Sequence, residues 1–147
     1  MDKKIIKAMT STGKDDWETP PWLFNQLDEE FHFTLDPCCT HKTAKCEKHY
    51  TVEDDGLSKD WSGETVFCNP PYSRSYQDLW VKKCFEESKK PGTTVVALLP
   101  ARPDTDRFHR YIWGKAEVRF LKGRIAFLDN GKKAQNPLFG SMICIWR

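Results

Sequence analysis

The residues of this chain best suited to chemistry are Asn69-Pro70-Pro71-Tyr72. Two consecutive prolines remove two backbone donors and fix two φ angles. What remains is a stiff loop rich in acceptors, the Asn69 amide oxygen and the Pro70 carbonyl. Tyr72 sets a flat aromatic face beside them. A planar base with an exocyclic amino group is the natural complement, because it offers two donors and a π surface. Asn69, Pro70, Pro71 and Tyr72 are therefore the candidate catalytic residues, for group transfer to such an amine. Taken alone, the same four residues also make a turn that ends a strand and packs a tyrosine.

The flanking elements decide how the loop is presented. Thr65-Val66-Phe67-Cys68 is a short apolar run, read as a strand, and Ser75-x-x-Asp78 has the form of a capping box opening a helix. Tyr76, Trp80 and Cys84, flanked by Leu79 and Phe85, supply its buried stripe, with Lys82, Lys83, Glu86 and Glu87 off it. Lys89-Lys90-Pro91-Gly92 ends the helix. Thr93 to Leu99 is apolar almost throughout, as in a parallel strand buried on both faces. Strand, loop, helix and strand make one βαβ unit. In open parallel sheets, ligands bind outside the carboxyl ends of the strands, where this loop falls.

Other segments carry weaker signals. Thr19 can cap a helix with Pro20 at its first position, and Leu23, Phe24, Leu27 and Phe31 give that helix an apolar face. Phe31 to Leu35 alternates as a strand does and ends at Asp36-Pro37, a turn or a ligand contact. Cys38, Cys39, His41, Cys46 and His49 contain zinc-ligand types, but Cys39-x-His41 is tighter than usual and Cys46-x2-His49 stands alone, so no metal is expected. Beyond Leu99 lie the loop Pro100 to Arg107 and a short helix through Tyr111-Ile112-Trp113. Two segments, 117–121 and 125–128, read as strands paired about Lys122-Gly123-Arg124. A polar loop, 129–137, contains Asn130-Gly131, and a last strand runs from Leu138 to Trp146.

The 147 residues are enough for one domain with a real core; residues 1–14 read as a mobile arm, and no separate target-recognition domain is expected. No apolar run approaches the ~20 residues of a membrane span, and no export signal is visible, so a cytoplasmic protein with reduced thiols is the expectation. Cys68, Cys84 and Cys144 sit in apolar patterns and read as core residues. The net charge of +2 divides unevenly, with −4 over residues 1–90 and +6 over residues 91–147. A basic C-terminal third can face a polyanion or simply be a solvated surface.

The ordered set Trp17-x-Thr19-Pro20, Leu35-Asp36-Pro37, Asp55-Gly56-Leu57, Trp61-x-Gly63, Asn69-Pro70-Pro71-Tyr72-Ser73, Leu98-Leu99-Pro100-Ala101 and Lys122-Gly123-Arg124 resembles the small phage-type, Dam-like family of DNA adenine N6-methyltransferases. The resemblance covers nearly all of residues 15–147. It implies a compact α/β, Rossmann-like methyltransferase fold: a central, mostly parallel sheet with an antiparallel C-terminal strand and helices on both faces. It implies S-adenosylmethionine as methyl donor, S-adenosylhomocysteine as product, and DNA with a flipped adenine as partner, in a bacterial cell and from a phage or prophage gene. Asp36, with Pro37, would bind the amino end of the donor's methionine part, and Trp17, Thr19 and Pro20 would close over that end. Asp55 and Leu57 would contact its adenosine. Asn69 and Pro70 would hold the target amine and Tyr72 would stack on the base. The chain departs from the wider superfamily in having Pro37-Cys38-Cys39 where glycines are usual. Arg74, Arg102, Arg107 and Arg124, on or beside strand ends, are candidates for phosphate contact or, individually, for surface salt bridges. Other targets for the same loop are an RNA base or a glutamine side-chain amide, and a rival of another class is a non-catalytic, zinc-containing nucleic-acid-binding module.

Overall fold

The computed structural model describes residues 17–133 and 137–147; the expected N-terminal arm lies outside them. The elements are helix α1 (Pro21–Phe31), a 3₁₀ turn (Gly56–Ser58), strand β1 (Thr65–Cys68), helix α2 (Arg74–Ser88), strand β2 (Thr94–Pro100), a π-helical turn (Phe108–Ile112), strand β3 (Glu117–Phe120), the two-residue strands β4 (Leu128–Asp129) and β5 (Lys132–Lys133), and strand β6 (Ser141–Trp146).

The main sheet runs β1-β2-β6-β3. Strands β1 and β2 are parallel, and β6 is antiparallel to both β2 and β3. Beyond β1, single parallel bridges join Leu35 to Val66 and Asp36 to His49. In the extended order 49, 35–36, β1, β2, β6, β3, every member except β6 therefore points the same way. The mostly parallel sheet with an antiparallel C-terminal strand is as expected. The chain leaves 35–36 toward residue 49 on one side and returns as β1 on the other. That reversal of strand order makes the crevice between Asp36 and Asn69 the topological switch point of the sheet, the usual place for a ligand.

Alternation in the strands builds two cores. Val66, Cys68, Val95, Ala97, Leu99, Met142, Cys144 and Trp146 face α2, meeting Tyr76, Trp80, Val81 and Cys84. Phe67, Val96, Leu98, Ile143 and Ile145 face α1, meeting Leu23, Phe24 and Leu27. Each fully buried aliphatic side chain here contributes about 1.5–3 kcal/mol. All six cysteines are free thiols, and Cys68, Cys84 and Cys144 are buried as the sequence indicates. No described helix is long and apolar enough to cross a membrane.

Several local expectations are corrected. The cap of α1 is Pro20, with Pro21 at the first helical position, because the Thr19 hydroxyl is engaged elsewhere. Helix α2 starts at Arg74 behind Ser73, without a side-chain cap, and Asp78 is bound to Arg107 rather than to the helix end. Leu79 is exposed, whereas Glu87 is buried and accepts the Trp61 backbone N–H. Residues 117–120 pair with β6, not with 125–128, because Ile125 and Phe127 are buried in the α1-side core. The polar loop is a hairpin, β4 to β5, with Asn130 and Gly131 at φ 53° and 80°, the two left-handed positions a tight two-residue turn requires.

Gly56 fixes the distance between two site loops. A Cβ on it would lie 2.1 Å from the Pro37 carbonyl oxygen and 3.1 Å from the Trp80 ring, and the Trp61 indole N–H donates to the Gly56 carbonyl at 3.1 Å. Gly56→Ala is thus expected to cost roughly 1–3 kcal/mol by overpacking, read as a fall in melting temperature of about 2–4 °C per kcal/mol. An unchanged melting temperature would show that the Asp36-Pro37 and Asp55-Gly56 backbones do not meet.

Candidate active site

Asn69 follows directly on β1 at the carboxyl rim of the sheet. Its side-chain nitrogen donates to the Trp17 carbonyl at 2.7 Å and to the Thr19 hydroxyl at 3.0 Å. A carbonyl only accepts, so the Trp17 contact fixes which end of the amide is nitrogen. The other end, Oδ1, is buried with no partner in the described protein. An oriented, dry acceptor without a donor is costly unless something brings one. Among the described residues nothing donates to the Pro70 carbonyl either, while the Pro71 carbonyl accepts from the buried Gln77 side chain at 2.8 Å. The loop is thereby anchored through the Pro71 carbonyl.

Tyr72 is half-buried in an aromatic box. Its ring meets Trp17 at 5.7 Å, Phe127 at 5.4 Å and Phe139 at 5.3 Å, all edge-on. Its hydroxyl is buried without a partner among the described residues, and burial holds its pKa well above the usual 10. The phenol therefore stays protonated, and its ring is the useful part.

Across the crevice, Asp36 is 3% exposed. Its carboxylate accepts the Lys45 backbone N–H at 3.0 Å and the Cys38 N–H at 3.3 Å. Burial nevertheless dominates, pushing its pKa up to about 6. A cation arriving here would relieve that penalty, so an ammonium fits the site. Asp55 is buried in a left-handed turn, φ 60°, with Oδ1 unpartnered among the described residues; it is an acceptor suited to a hydroxyl or amine. Pro37 is buried against the Gly56 turn, and Leu57 packs half-buried on the α2-side core. Thr19 and Pro20 are buried ahead of α1, Trp17 is half-buried, and the Thr19 hydroxyl and the Trp17 carbonyl are turned to Asn69. The acceptors that an ammonium and a hydroxyl need are thus present in Asp36 and Asp55.

The cysteine and histidine segment is arranged differently. His41 and His49 contact each other at 2.9 Å, and burial raises the Cys46 thiol to about 12. Among the described residues, no three His, Cys, Asp or Glu side chains are placed to hold a metal ion. Of the four arginines, Arg74, Arg102 and Arg124 are exposed. Arg107 is buried and bonded to Asp78 at 3.0 Å, so it braces α2 rather than reaching solvent.

A family profile described as DNA N-6-adenine-methyltransferase (Dam) matches residues 7–147. The chain belongs to the Dam family. It is 32% identical over 122 residues to a DNA N-6-adenine-methyltransferase of Haemophilus phage HP1, covering 81% of this chain and 69% of that protein. It is 29% identical over 153 residues to one of Escherichia phage T1, covering 91% of this chain and 63% of that protein. The chain therefore spans about two thirds of the length of these Dam relatives. A solved protein of Pyrococcus horikoshii assigned as an RNA methyltransferase superposes with a TM-score of 0.57 at 13% identity over 99% of this chain and 98% of that one, which establishes the Rossmann-like fold.

Sequence reasoning missed the contacts that orient Asn69, the buried Gln77 anchor, and Phe127 and Phe139 beside Tyr72. Only the position of Gln77 within an apolar helical stripe signalled that a polar side chain was being buried there.

The raised pKa of Asp36 has a definite sign. The folded state binds its proton more tightly than the unfolded state, so its contribution to stability is full below about pH 4 and is lost as pH rises through about 6. Between about pH 4.5 and about 7.5, the wild type is expected to lose roughly 2 kcal/mol more urea stability than Asp36→Asn, which lacks this titration. Parallel pH profiles for the two proteins would show that Asp36 is not desolvated.

Proposed function

We propose that this chain transfers a methyl group from S-adenosylmethionine to the exocyclic N6 amine of adenine in DNA, with Asn69, Pro70, Pro71 and Tyr72 at the reacting centre. The observation that carries the proposal is the buried Asn69 Oδ1, aimed by Trp17 and Thr19 and without a partner among the described residues. S-adenosylmethionine supplies a methyl group already made electrophilic by its sulfonium, so the protein's task is orientation. Asp36 would hold the ammonium of the donor's methionine part, and Asp55 with Leu57 its adenosine.

The N6 lone pair is delocalised into the adenine ring and is a poor nucleophile. Asn69 Oδ1 and the Pro70 carbonyl each accept one N6 hydrogen, which draws the lone pair out of conjugation. Tyr72 stacks on the base and holds it in line. Asn69 is a neutral amide and no useful base, so the amine keeps its protons until the N–C bond has formed, then sheds one to solvent. Extracting the base from a duplex costs a few kcal/mol, and stacking on Tyr72 returns about 1–3 kcal/mol. DNA is preferred to RNA or a glutamine amide because the family and its phage relatives are described as DNA methyltransferases.

Incubation with labelled S-adenosylmethionine and DNA, followed by nucleoside digestion, is expected to yield N6-methyladenine. Asn69→Ala removes the aimed acceptor and is expected to lower the methylation rate roughly 10²–10³-fold, as loss of one preorganised hydrogen-bonding group does elsewhere. A variant near the wild-type rate would overturn the acceptor mechanism. Thr19→Val should lower kcat about tenfold with little change in KM, and Thr19→Ser should restore it, because only the hydroxyl matters to the Asn69 contact. Equal loss in the Val and Ser variants would assign Thr19 a packing role only.

A further inference from the structure

Leu138 is 90% exposed, more than any other large apolar side chain described. Its loop, residues 137–140, enters β6 at the same rim as Asn69, since Ser141 pairs with Pro100 at the carboxyl end of β2. The loop is anchored on each side of Leu138. The Pro137 carbonyl accepts from Arg124 Nη1 at 3.0 Å, and the Gly140 carbonyl accepts the Ala101 N–H at 2.9 Å. The adjacent Phe139 ring meets Tyr72 at 5.3 Å. A side chain set outward by such anchoring gains nothing for its own fold.

The surroundings indicate what it meets. Lys122, Arg124, Lys132 and Lys133 are exposed on the segment leading to Leu138, and Asp129 is the only acidic residue between 121 and 140. A lone apolar side chain in a cationic rim suits a polyanion with an apolar interior, which a DNA duplex is. Moving a base out of the stack leaves a gap between its neighbours, and proteins that unstack DNA fill such gaps with Leu, Ile, Met or Phe wedges.

We propose that Leu138 is that wedge, entering the duplex as the adenine moves onto Tyr72. This rests on the methyl-transfer function above. Phe139 links the two events, because its ring meets Tyr72 while the preceding residue, Leu138, fills the vacated stack.

The test uses the full chain and a duplex bearing a site that the wild type methylates. In one form the target adenine is paired with thymine; in the other it faces an abasic position and leaves the stack easily. Leu138→Ala is expected to slow methylation of the paired duplex about tenfold or more, yet to stay within about twofold of wild type on the abasic form. Leu138→Met should recover most of the rate, and melting temperature should not change in either variant. With 2-aminopurine at the target, the emission rise on wild-type binding should be lost with Leu138→Ala. Equal loss on both duplexes, or no loss on either, would overturn the wedge; no loss on either would leave Leu138 as a contact for a protein partner instead. A wild type that methylates no DNA would refute the function and the wedge together, whereas an active wild type with an unaffected Leu138→Ala would refute the wedge alone.

Discussion

The site depends on two hydrogen bonds from one carboxamide, Asn69 to the Trp17 carbonyl and to the Thr19 hydroxyl. They join the segment before α1 to the end of β1, which lies some fifty positions further along the chain. They also settle a question of chemistry, because an amide free to turn would present a donor as readily as an acceptor. The segment is itself held in place. Glu18 exchanges two backbone hydrogen bonds with Leu128, at 2.9 and 3.0 Å, and its carboxylate meets Lys45 at 3.0 Å with both side chains largely buried. The backbone of the same Lys45 donates to Asp36. A continuous path of contacts thus runs from Asp36 through Lys45 and Glu18 to Thr19 and Asn69, so the two sides of the crevice are set by one framework.

That framework carries polar groups the fold does not satisfy. Asn69 Oδ1, Asp55 Oδ1 and the Tyr72 hydroxyl are buried without partners among the described residues, and Asp36 is ionised only against a desolvation penalty. Each such group costs on the order of 1–3 kcal/mol. The offset comes from the sheet. Residues of β2 and β6 are buried on both faces, with Val95 to Leu99 and Met142 to Trp146 each 2% exposed or less. Asp36 and Asn69 lie at the carboxyl rim, and the strands beneath them are almost uniformly apolar.

Much of this was legible in the sequence because two periodicities are strong. The apolar run from Thr93 to Leu99 carries the signature of a strand buried on both faces, and the Asn-Pro-Pro-Tyr loop follows an apolar run that reads as its neighbour. Asp36 was legible as an acid before a proline at a strand end. What was not legible is non-local. No spacing rule connects Thr19 to Asn69, or Gly56 to the Pro37 carbonyl. The helix-cap role given to Thr19 was reasonable locally and lost to the Asn69 contact. The pairing assigned to 117–121 and 125–128 failed for the same reason: local sequence suggested a hairpin, but Ile125 and Phe127 were needed in the core beneath α1. Asn130-Gly131, a strong hairpin pair in its own right, was passed over because the strands it joins are two residues each.

Structure also divides the positive charge of the C-terminal third into two populations. Arg107, Arg110, Arg119 and Arg147 are paired with Asp78, Asp106, Glu30 and Glu117. Arg102 approaches Asp104. Lys115, Lys122, Arg124, Lys132 and Lys133 have no carboxylate partner among the described residues. The last four follow the strand ends, on the connections between β3 and β6, and so border the rim that holds Asn69 and Tyr72. Paired cations are largely neutralised at short range, while unpaired exposed ones attract polyanions across roughly a Debye length of about 8–10 Å. The net excess over residues 91–147 therefore overstates the size of the cationic surface and understates its focus. A duplex drawn to the unpaired set would arrive with its bases facing the aromatic box, and phosphate contacts of this kind fix position without reading sequence. Any discrimination among DNA sites must then come from the groups that meet the bases, or from how readily the duplex yields at the step being opened.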